Sequence, residues 1–157
     1  MSFQVHGLPQ SAFSHLFGQP ERVLQQHRAT RIVADASPGY PCRISLSEAE
    51  IGEPVILVNY EHQPADNPYR AAHAVFVREG AIEVSLEPDR LPDVLCRRVM
   101  SLRAFSPEHW LMQADVAAGS DLRVTIEALL ADPDIEYLQL HHAKQGCYAA
   151  TVRRTVS

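Results

Sequence analysis

The chain has 157 residues, 46% of them hydrophobic, with a formal net charge of −5 and a pI near 5.9. That size and composition suit one domain, residues 1–157, with an ordinary core, and the acidic balance offers no broad basic surface for a nucleic-acid backbone. No apolar run approaches the roughly 20 residues that span a bilayer, and the first residues carry neither a charged leader nor an apolar h-region, so the expectation is a cytoplasmic protein with no membrane partner.

Residues 2–8 predict a short strand, and residues 9–17 and 20–27 two short helices, each beginning near a proline whose fixed φ suits a first helical turn. The β-branched run at 30–35 predicts a second strand, stopped by Ser37-Pro-Gly-Tyr-Pro41, so that Cys42 emerges from a turn. Residues 54–62 form the clearest strand; period two places Ile56, Val58, Tyr60 and His62 on one face. Residues 73–78 predict its neighbour. The connection between them, about ten residues, exceeds an ordinary hairpin loop and reads as a binding loop.

Further on, residues 99–105 and 110–116 predict an antiparallel pair. Ser120 is placed to cap a helix whose apolar stripe is Leu122, Ile126, Leu129 and Leu130, and Asp132-Pro133 ends it. Residues 135–142 and 147–154 predict a hairpin across Ala143-Lys-Gln-Gly146, with the glycine at a position of positive φ. Antiparallel neighbours with a few helices packed on them give an α+β class.

Chemistry gathers where these strands meet turns: Gly39-Tyr-Pro-Cys-Arg43, Asn59-Tyr-Glu-His-Gln63 with Pro68-Tyr-Arg70, and His141-His-Ala-Lys-Gln-Gly-Cys147. In the last hairpin His142 opposes Cys147, with Cβ atoms on the order of 5 Å apart. An imidazolium beside a thiol favours the thiolate, the nucleophilic form. A slip of one residue would put His141 in that place. The plainer reading of Cys42, Cys96 and Cys147 is burial as small hydrophobes, free thiols in a reducing compartment. Cys42, His62, His142 and Cys147 would make a zinc-type donor set, but they come from three remote segments without the close pairing of zinc sites, so no metal and no cofactor is assigned.

Arg43, Arg70 and Arg103, with Tyr60 and Tyr69, supply the forks and hydroxyls that hold a carboxylate or phosphate. The competing reading pairs each arginine with a nearby acid such as Glu61, Asp66 or Asp115. Lys144 is the one lysine among 14 cationic residues, a bias that reads first as codon usage. Dinucleotide, P-loop, zincin and α/β-hydrolase signatures are missing from the chain.

The three motifs, in this order and with Tyr148 closing the last, resemble a bacterial family known as domain of unknown function 1203, over almost the full length. The resemblance implies a small stand-alone bacterial protein and brings no activity, substrate or cofactor. Its last motif, as His-Asn-Ala, points to His141 where the hairpin geometry points to His142. The functional expectation is a domain that binds a small, anionic ligand, with Cys147 or Cys42 as nucleophile and a histidine as base if it is an enzyme. The alternative is an interaction module or homodimer in which the same residues are structural.

Overall fold

The structure, a computed structural model, describes residues 1–156. The β-branched and aromatic runs form eight strands: β1 (Phe3–His6), β2 (Ala29–Val33), β3 (Pro54–Gln63), β4 (Ala71–Arg78), β5 (Val99–Phe105), β6 (Leu111–Ala118), β7 (Tyr137–His142) and β8 (Tyr148–Arg154). Three α-helices accompany them: α1 (Glu21–Gln26), α2 (Asp93–Cys96) and α3 (Leu122–Leu130). The fold is α+β, and its strands divide into two antiparallel sheets rather than one. Five strands lie in the order β1-β8-β7-β5-β6 and three in the order β2-β3-β4.

One apolar cluster fills the space between the larger sheet and α3, with Leu102, Leu138 and Leu140 meeting Leu122 and Ile126. A second lies over the smaller sheet, where Ile56, Val58, Val75 and Val77 pack with Phe13, Leu16 and Leu24. Strand β7 runs between layers, and all six of its residues are buried. Leu138 and Leu140 enter the first cluster, whereas alternate residues meet the end of β3. There the Gln63 amide donates to the Tyr137 hydroxyl at 2.8 Å, and the Gln139 amide donates to the His62 carbonyl at 2.9 Å. A bulge between Tyr60 and Gln63 lets neighbouring residues of β3 serve this junction.

Two expected details differ. Residues 9–17 form only single 3-10 turns, Gln10–Ala12 and Ser14–Leu16, in place of a helix. Ser120 does not cap α3. It lies inside a 3-10 turn, Gly119–Asp121, which runs straight into the helix and leaves Asp121 at the cap with φ −102° and ψ 1°. That backbone is not the extended one a capping side chain needs.

Two backbone features prepare the functional region. Gly7 passes so close to residues 43–44 that a Cβ there would lie 2.7 Å from the Ile44 carbonyl oxygen, and the Leu8 N–H donates to the Arg43 carbonyl at 2.7 Å. The Arg43 N–H in turn donates to the Phe76 carbonyl at 3.1 Å. In the last hairpin, Gly146 takes φ 78°, the His142 N–H donates to the Cys147 carbonyl at 2.9 Å, and the Gly146 N–H donates to the His142 carbonyl at 2.7 Å. Two residues thus face one, a glycine bulge that keeps His142 and Cys147 side by side.

Candidate functional site

Arg43 carries the most unusual charge in the molecule. Only 2% of it is exposed, yet none of the ion pairs among the described residues includes it. Its Nε donates to the Tyr148 carbonyl at 2.8 Å, one terminal nitrogen to the Pro41 carbonyl at 2.6 Å, and the other to the Cys147 sulfur at 3.0 Å. Burial lowers the affinity of the guanidinium for its proton, and the Cys147 sulfur opposes that shift. A buried cation held by carbonyls and a sulfur, without a carboxylate, has room in its charge balance for an anion.

Arg43 lies in a cleft of about 140 Å³ that Arg98, His142, Gln145 and Cys147 also line. Arg98, His142 and Gln145 are shared with an adjoining cleft of about 390 Å³, which adds Arg97 and Lys144. Arg98 is matched by Glu48 at 2.5 Å; Arg97 and Lys144, both exposed, have no ion-pair partner among the described residues. The combined hollow therefore carries three uncompensated cations, Arg43, Arg97 and Lys144.

His142 lines this hollow, and its buried Nδ1 meets no hydrogen-bonding group among the described residues. Burial, reinforced by Arg43 and Arg98, pushes its pKa down to about 3. It is a neutral imidazole at pH 7, so the cation beside the Cys147 sulfur is Arg43 and not an imidazolium. His141, its neighbour on the opposite face of β7, donates from Nδ1 to the Gly146 carbonyl at 2.9 Å and leaves a buried Nε2 without a donor. Burial first, then Arg103, His62 and His73, bring its pKa to about 3 against a smaller upward pull from the Gly146 carbonyl.

A second hollow, of about 290 Å³, lies where the loop after β3 approaches β5 and β6. His62, Tyr69, Arg70, Arg103, Phe105 and Gln139 are among its lining residues. His62 donates from Nδ1 to the Gln139 side-chain oxygen at 2.9 Å, since that amide's nitrogen is spent on the His62 carbonyl. Between the two hollows the His62 ring stacks on Tyr148 at 5.4 Å and meets His141 edge-on at 5.0 Å.

The family described as "Protein of unknown function (DUF1203)" matches residues 39–154, a stretch holding all three motifs and both hollows. The chain belongs to this family. No curated protein and no solved structure matches it.

In this DUF1203 chain the expected site residues are distributed over several surroundings. Arg43, His142 and Cys147 come together in the first hollow; His62, Tyr69, Arg70 and Arg103 line the second. Cys42 joins neither. It is 1% exposed inside the second apolar cluster, and its sulfur accepts the Arg78 N–H at 3.2 Å. Tyr60 packs on Phe13 at 5.2 Å, and burial raises its pKa. Arg70 is the arginine that follows the ion-pair reading, bound to Glu61 at 3.1 Å and to the Ala65 carbonyl at 3.0 Å. Among the described residues no three His, Cys, Asp or Glu side chains converge in a metal-holding group. Among the same residues no helix is long and apolar enough to cross a membrane.

Arg97, Arg98, Lys144 and Gln145 are the residues sequence reasoning did not place at the site. The single lysine, in the turn between motif residues 142 and 147, was the available signal.

Proposed function

We propose that this DUF1203 protein binds a small, multiply charged anion, such as a phosphate monoester, in the hollow floored by Arg43. The observation that carries the reading is the buried guanidinium without a carboxylate partner. Arg97 and Lys144 at the outer part of the hollow would meet the remaining charge.

The chemistry favours binding over acid–base catalysis. An imidazole with a pKa of about 3 releases a proton readily and takes one poorly, so His142 is a weak base for the Cys147 thiol. Cys147 lines the hollow at 7% exposure and is the thiol a bound electrophile would meet.

A thermal-shift titration with phosphate monoesters and di- and tricarboxylates tests the proposal. Saturating ligand at about 100 times Kd should stabilise the fold by about 2.7 kcal/mol. The double variant Arg97→Ala with Lys144→Ala, altered only at exposed positions, should lose most of that rise. An unchanged rise in the double variant, or none in the parent protein, would reject the reading.

A further inference from the structure

The second hollow contains a half-buried cation that no ion pair among the described residues neutralises. Arg103, on β5, has no hydrogen-bonding or ion-pair partner among the described residues, and burial alone shifts its pKa, downward. Arg70 beside it is already bound to Glu61 and to the Ala65 carbonyl. The amides of Gln63 and Gln139 are likewise committed, to Tyr137 and His62. Arg103 is therefore the one charged group of this lining without a partner among the described residues, with the Tyr69 hydroxyl of the same lining also free of a protein partner among them.

The remaining walls are apolar and aromatic. Tyr69 stands edge-on to Phe105, ring centres 6.3 Å apart at 79°, and is backed edge-on by Trp110 at 5.7 Å; Pro68, Ala71 and Leu111 also line the pocket. A volume of about 290 Å³ lies at the small end of ligand pockets, which run from roughly 300 Å³ upward. One free charge suits one carboxylate, which Arg can hold by two parallel hydrogen bonds, whereas a phosphate dianion would be left half balanced. Rings at near-right angles accept a further ring by offset or edge contact.

We infer that the pocket between the loop after β3 and strands β5 and β6 is an independent binding site for a compact aromatic monocarboxylate, held by Arg103 and framed by Tyr69 and Phe105. The inference goes beyond the anion hollow at Arg43 and uses none of its charged residues.

Trp110 is the single tryptophan of the chain and packs against the lining residue Tyr69, so its fluorescence reports on this pocket through that ring. Titration of the full-length protein with benzoate should give a saturable change, and benzyl alcohol, the same ring without the charge, should give none over the same range. Arg103→Gln should weaken benzoate by about tenfold or more, as expected for a lost charge-assisted pair, and Arg103→Lys by less. The Arg97→Ala, Lys144→Ala double variant should bind benzoate as the parent does. The absence of a saturable response would overturn the inference, as would an equal response to benzyl alcohol, unchanged affinity in Arg103→Gln, or loss of binding in the double variant. If Arg103→Gln does not fold, the comparison of benzoate with benzyl alcohol on the parent protein still decides. A phosphate ester that fails to bind while benzoate succeeds would remove the first reading and leave this one standing.

Discussion

Mild acid should destabilise this protein through its two adjacent histidines before the carboxylates take part. His141 and His142, 1% and 3% exposed, have pKa values of about 3 in the fold against an ordinary value of 6.5. Between those limits the unfolded chain binds protons that the native state refuses, so stability is complete above pH 6.5 and falls as pH drops toward 3. At pH 5 each unfolded imidazole is almost fully charged, which amounts to about 2 kcal/mol per histidine relative to pH 7, or about 4 kcal/mol for both. His6 and His62, whose pKa values burial also lowers, act in the same direction. Glu21, Glu53, Glu79 and Asp89 are held below ordinary values of 4.5 and 3.8, so the stability they add is lost only at lower pH. Urea unfolding followed by circular dichroism at pH 7 and pH 5 measures the difference. His142→Gln should flatten it by about 2 kcal/mol. A parent protein that loses less than about 1 kcal/mol over that interval would refute the reasoning, because neutral buried imidazoles could not then be what the fold enforces.

Two further outcomes follow from the first hollow. Arg43→Ala strips the donors from two buried carbonyls, those of Pro41 and Tyr148, at about 1–3 kcal/mol each, so urea denaturation should show a loss of about 2–6 kcal/mol, with Arg43→Lys losing less. A change within about 0.5 kcal/mol, the range of an ordinary surface substitution, would mean the guanidinium is not the organising group. Iodoacetamide followed by peptide mass mapping should label Cys147 ahead of Cys42, because the former lines a hollow and the latter is sealed among Ile44, Ile56 and Val77. A saturating phosphate monoester should protect Cys147; labelling of both thiols at one rate would contradict that placement.

Local patterns were legible where one residue type decides the geometry. The Pro54–Gln63 strand follows from its β-branched run, and the neighbourhood of His142 and Cys147 follows from a tight turn closed by Gly146. What period two could not show is that β7 is covered on both faces, which sends His141 and His142 into different surroundings. The bulge between Tyr60 and Gln63 likewise interrupts the alternation of β3 beside His62, which bonds to Gln139 and lines the second hollow while Arg43 lines the first. Helix α2 has only four residues, too few for a periodic signal, so nothing in the sequence marks Arg97 and Arg98, just beyond it, as one wall of a hollow.

The family match begins at residue 39, and the stretch before it supplies one outermost strand to each sheet, β1 beside β8 and β2 beside β3. A strand bonded along only one flank can be exchanged without reordering the rest of its sheet. The same stretch also carries Leu8, whose N–H holds the Arg43 carbonyl, so the rim of the scaffold and the footing of its buried guanidinium are built from one length of chain.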